Sequence, residues 1–144
     1  MATQDLVANP SACTLAYIHH PLYATGSGGV APEVKPLIKI LYNNADVVLN
    51  AHNHRYERLA RIDPNGNLDR ARGIRTITVG TGGEPGNPPN VTPPAISEVR
   101  IFDTSGVIRI DLSSGTYIWT FVAVDGTANR KVMDSTLTGT ESCH

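Results

Sequence analysis

The chain has 144 residues, the length of one domain and enough to bury a core. Its 12 basic and 13 acidic residues leave a net charge of −1 with no block of like charge, which argues against nucleic acid or an anionic membrane surface as a partner. No apolar run approaches the roughly 20 residues of a spanning helix, and Met1-Ala2-Thr3-Gln4-Asp5 lacks the charged and apolar regions of a signal peptide.

Residues 14–18 read as a first strand, which runs directly into His19-His20-Pro21-Leu22-Tyr23. The glycine-rich residues 24–29 read as a loop. A helix is expected over 32–43, because Pro32 suits a first helical position and Val34, Leu37, Ile38, Leu41 and Tyr42 recur on one face. Residues 46–50 form a second strand, so strand, helix and strand make a parallel crossover. It ends in Asn50-Ala51-His52-Asn53-His54-Arg55-Tyr56-Glu57-Arg58. A turn is expected over 63–67 and a strand over 74–79, followed by a Gly/Pro/Asn loop over 80–94. Long loops inside compact domains are usually functional or mobile. Antiparallel strands are expected over 98–102, 107–112 and 117–124, and the polar tail from Asp125 shows no clear element.

Four of the five histidines therefore stand at the carboxyl ends of the first two strands, where open α/β sheets gather their ligands. His52 and His54 are one residue apart, and an extended chain would aim both rings to one side. Neutral imidazole suits zinc first, and also iron, manganese and nickel. Three converging rings leave a position for water, whose pKa a bound ion lowers from about 15.7 towards about 7. The competing reading is a set of solvated or hydrogen-bonded histidines at loop starts. His20 is the least suited to ligation, because adjacent residues after a strand point apart, and it is a candidate for holding a substrate oxygen. Arg55 and Arg58 are candidates to meet an anionic substrate, and Tyr23 and Asn53 to line the pocket. Gly80-Thr81-Gly82-Gly83 has no following Lys-Ser/Thr pair or helix, so it is a weak phosphate-loop signal.

Cys13 and Cys143 match no metal or redox spacing. Either they pair, closing a long loop that stabilises by about 4 to 5 kcal/mol in the chain-entropy model, or they are two free thiols. A bridge would imply an oxidising compartment.

Three blocks, Tyr17-Ile18-His19-His20-Pro21, Asn50 to Arg58, and Gly73-Ile74-Arg75 running to Val79-Gly80-Thr81-Gly82-Gly83, occur in the order found in calcineurin-like metallophosphoesterases. The chain from about Asp5 onward resembles the C-terminal half of that family, above all its bacterial, purple-acid-phosphatase-like branch. The resemblance implies an α/β fold, half of a metallophosphoesterase-type β-sandwich in which one strand-helix-strand crossover is followed by antiparallel strands. It further implies hydrolysis of phosphate mono-, di- or triesters by a metal-bound hydroxide, and a secreted or periplasmic location. His19 and His52 would hold one metal and His54 the other; the candidates His20 and Arg55 would then serve catalysis, and Tyr23, Asn53 and Arg58 the substrate, by their position in the sequence rather than by the resemblance.

Where the family usually has glycine this chain has Ala51, which is harmless at ordinary backbone angles and costly at positive φ. The family's N-terminal aspartate, G-D and G-N-H blocks do not occur, so residues 1–144 read as a single truncated domain. Two expectations follow: a reduced, mononuclear hydrolase built on three histidines, or a fragment that folds and binds metal without catalysis. Half a sandwich leaves an unpaired strand edge and an uncovered apolar face, so a homo-oligomer is expected.

Overall fold

The computed structural model describes residues 2–25, 30–84, 94–124 and 137–144. Among them are helices α1 (Ala2–Ala8) and α2 (Lys35–Leu41), the latter entered through a 3-10 turn at Pro32–Val34. The strands are β1 (Leu15–Tyr17), β2 (Val47–Asn50), β3 (Tyr56–Leu59), β4 (Arg75–Val79), β5 (Ser97–Ile101), β6 (Gly106–Ser113), β7 (Thr116–Ala123) and β8 (Thr138–Ser142). They form a five-stranded sheet in the order β1-β2-β4-β3-β5 and a three-stranded sheet in the order β6-β7-β8. This is a mixed α/β architecture of two sheets with few helices.

The crossover is present, with β1 parallel to β2 in the register Leu15↔Val47 and β2 parallel to β4 in the register Val47↔Arg75. The apolar run of β2 follows from its place between two layers. Val47 and Val48 are both essentially inaccessible and, as chain neighbours in a strand, point to opposite faces. Val47 joins the inter-sheet core with Tyr56, Ile77, Tyr117, Trp119 and Phe121. Val48 joins a second core with Leu22, Ile38, Leu41 and Ile74, against the α2 face. A parallel strand covered on both sides reads as a continuous apolar stretch.

The strands expected from sequence lie within one residue of those observed at every end. The regular helix ends at Leu41, short of the expected Asn43. Three elements carry no expectation: α1, β3 and β8. β3 is antiparallel to both β4 and β5, and all four of its residues are buried, Glu57 and Arg58 included. The turn at 63–67 forms as expected, with the Asp63 carboxylate accepting from the backbone N–H of Asn65 (2.7 Å) and Asn67 (2.9 Å). Gly66 stands there at φ +85°, a conformation open to glycine. Most of the loop expected over 80–94, and the tail over 125–136, lie outside the described residues.

Ion pairs as well as apolar contacts join the sheets. Arg75 on β4 pairs with Glu98 on β5 (2.6 Å) and with Glu141 on β8. Arg58 on β3 pairs with Glu98 (3.0 Å). Both guanidinium groups lie over the Trp119 indole, at 5.0 Å for Arg58 and 5.5 Å for Arg75. Cys13 and Cys143 are joined in a disulfide, which ties the approach to β1 to the residue following β8.

Candidate metal centre at the carboxyl ends of β1 and β2

The parallel pairing of β1 and β2 brings two sequence-distant loops to one rim. Ile18 donates its N–H to Leu49 O (2.9 Å) and Ala51 donates to His19 O (3.0 Å), continuing the ladder past the end of β1. Asn50, the last residue of β2, reinforces this with its side chain. Its Nδ2 donates to Ile18 O (2.8 Å) and His20 O (3.4 Å), so one amide clamps the backbone on both sides of His19.

Past Asn50 the chain stops being extended. His52 adopts φ +42°, and Asn53 N–H turns back to Ala51 O. Non-glycine residues rarely hold positive φ, and such positions concentrate at functional sites. Ala51 itself does not, so the methyl group that replaces the family's usual glycine carries no backbone penalty.

The turn decides which rings meet. His19, His20 and His52 offer ligand nitrogens that all lie within 4.8 Å of one another. Their ring centroids are 4.8 Å apart for His19 and His20, 5.5 Å for His19 and His52, and 4.2 Å for His20 and His52. His54 stands outside this group, although it too is exposed. The resemblance implies His19, His52 and His54 as ligands; with His52 left-handed rather than extended, the nitrogens that lie together among the described residues are those of His19, His20 and His52. Partial burial, then the neighbouring His20, His19 and His54 rings, hold the His52 pKa below the ordinary histidine value. Its lone pair is therefore available at neutral pH, as ligation requires.

Arg55 is buried and directs its guanidinium at Glu57 (3.0 Å) and at Thr25 O, so it does not face an exposed anion. Arg58 is turned inward onto Glu98 and Trp119. Tyr23 donates its hydroxyl to Pro64 O (3.0 Å) and packs against the turn at Gly66. Asn53 is buried, and neither polar atom of its side chain has a hydrogen-bond partner among the described residues. Thr81 is committed to the other sheet, its Oγ1 donating to Gly106 O (2.7 Å), which leaves Gly80 to Gly83 as a strand-to-strand tie. Asn50 carries no sequence expectation; a polar residue closing a buried apolar strand next to the histidines is the signal that marks it.

A cleft of about 510 Å³ opens beside His19, lined also by Tyr17, Leu49, Ala51, Val79 and Val107. No family model matches the sequence, and no curated protein does. Purple acid phosphatase PPD1, isolated from yellow lupin (Lupinus luteus) seeds, superimposes with a TM-score of 0.72 at 14% identity, over 97% of this chain and 27% of that one. The fold resembles part of a purple acid phosphatase. GAP50, the anchor in the inner membrane complex of Plasmodium, superimposes with a TM-score of 0.69 at 14% identity, over 99% of this chain and 40% of that one. The chain thus spans less than half the length of either neighbour.

Proposed function

We propose that the chain is a metal-dependent hydrolase of phosphate esters, with His19, His20 and His52 holding a transition-metal ion. The observation that carries this is the convergence of three imidazoles from two strand ends, in a fold that resembles part of a purple acid phosphatase. The donor set fits: three neutral nitrogen ligands on an exposed rim suit zinc first, then iron, manganese or nickel, and leave an open position. The bound ion would supply a Lewis acid and a hydroxide at neutral pH. Asn50 would hold the His19–His20 segment in register with His52, and the cleft would accept the ester's organic group. Because Arg55 and Arg58 are spent on buried ion pairs, the phosphoryl oxygens would meet little positive charge from this chain, which favours low selectivity among mono-, di- and triesters.

The same ion pairs, and a histidine group that includes no carboxylate among the described residues, support the second reading: a domain that binds metal without turning over. The disulfide supports a secreted or periplasmic setting for either reading. The site's exposed rim and the edge position of β1 support self-association.

The test is hydrolysis of nitrophenyl phosphate mono- and diesters by chelated protein refilled with zinc, manganese, iron or nickel. Metal-dependent turnover is expected, and His52→Ala or His19→Ala should lower it by more than about 100-fold, since even partners of ligands are worth 10- to 100-fold. His54→Ala should cost less than His20→Ala. Metal uptake without turnover would decide for the binding domain; neither uptake nor turnover would remove both readings.

A further inference from the structure

A second group of metal-ligating side chains lies at the opposite ends of β1 and β2 from the imidazole rim. The ligand atoms of Cys13, Cys143 and Asp46 all lie within 4.8 Å of one another. Cys13 and Asp46 are buried, and Asp46 is a carboxylate immersed beside the start of β2. The backbone N–H of Thr14 (2.8 Å) donates to its Oδ2, and that of His144 (2.8 Å) to its Oδ1. His144 Nδ1 stands 2.9 Å from the same Oδ1. Two sulfurs and a carboxylate therefore share one small volume, and the His144 imidazole stands against that carboxylate; the residues come from just before β1, just before β2 and just after β8.

We infer that when the Cys13–Cys143 bond is reduced, Cys13, Cys143, Asp46 and His144 form a tetrahedral zinc site. A tetrahedral zinc places nitrogen and oxygen donors about 3.3 Å apart and sulfurs about 3.8 Å apart, from its usual bond lengths. The Cα atoms of Cys13 and Cys143 are already 5.3 Å apart, and the Asp46 and His144 donors are within a few tenths of an ångström of the required spacing. The balance is simple: a dithiol reductant gives two electrons and two protons to the S–S bond and leaves as its own disulfide. Zinc then displaces the two thiol protons. Either state clamps the end of β8 to β1, covalently when oxidised and through the ion when reduced. The proposal is independent of the phosphoesterase reading, because it uses none of the rim histidines.

The experiment is a zinc and a cobalt titration of the full chain carrying His19→Ala and His52→Ala, comparing oxidised protein with protein reduced by a dithiol and desalted under anaerobic conditions. The reduced form is expected to take up one more zinc than the oxidised form, and with cobalt to show thiolate charge-transfer absorption and the intense visible bands of a tetrahedral ion. His144→Ala should weaken binding by tenfold or more, and Cys143→Ser should abolish the cobalt signature. If the reduced protein unfolds, recovery of its circular dichroism on adding zinc supports the site, and failure to recover overturns it. Equal zinc uptake by the two redox forms, or uptake that ignores both variants, also overturns it.

Discussion

Asn50 divides its amide between a clamp and an unfilled acceptor. Nδ2 holds the carbonyls of Ile18 and His20, which prevents the group from flipping, while the buried Oδ1 has no partner among the described residues. Asn50→Asp sets a carboxylate oxygen against those two carbonyls and should release the His19–His20 segment. The expected result is metal affinity lowered by about 10- to 100-fold, the range for residues that orient ligands, with circular dichroism unchanged; calorimetry with zinc reads it directly. Affinity equal to the parent would relieve Asn50 of this role. The histidines were legible as chemistry but their grouping was not. A period-two argument places His52 with His54, and only a backbone angle, φ +42° at His52, substitutes His20. Arg55 and Arg58 show a related gap: the sequence places a cation beside the motif but does not show that the buried Glu57 pairs with Arg55 or that the distant Glu98 pairs with Arg58.

The elements show the same division. β1, β2, α2, β4, β5, β6 and β7 were legible because their apolar residues repeat at the period of the structure that buries them. β3 was not, because Glu57 and Arg58 break its apolar pattern and become tolerable inside the protein through ion pairs, Glu57 with the neighbouring Arg55 and Arg58 with the distant Glu98. β8, Thr-Gly-Thr-Glu-Ser, has no apolar alternation at all; it is held by pairing with β7 and by Gly139, where an added Cβ would run into the Trp119 ring. Gly139→Val should therefore destabilise the protein by about 1 to 3 kcal/mol, the usual cost of overpacking, as a lowered midpoint in urea unfolding. Glu141 on the same strand gives a pH dependence. Burial alone would raise its pKa, but hydrogen bonds from Arg75 and Tyr117 outweigh that and hold it below the ordinary value. A carboxyl depressed in the folded state contributes stability that is complete above its unfolded pKa of about 4.3 and is lost as pH falls through the lower folded value. Glu141→Gln should flatten the fall of melting temperature below that point and leave its shape near neutrality unchanged. An unaltered acid limb would exclude this pair as a source of acid sensitivity.

At the scale of the whole molecule, β1 is an edge strand bonded to β2 alone, with Tyr17 83% exposed beside the cleft. We propose that two copies meet along this edge, whose backbone N–H and C=O groups on the side away from β2 offer a template for a further strand. Light scattering should give a dimer, and Tyr17→Lys should shift it to monomer; a monomer in the parent chain would oppose the proposal. The disulfide has a different meaning at this scale. Its cysteines are 130 residues apart in sequence while their Cα atoms are 5.3 Å apart, so the stretch between them is topologically a closed ring. A protease that cuts once between the exposed Asn67 and Leu68 would open the ring into a line and release nothing. Nicked protein should run as one band on a non-reducing gel and two on a reducing one.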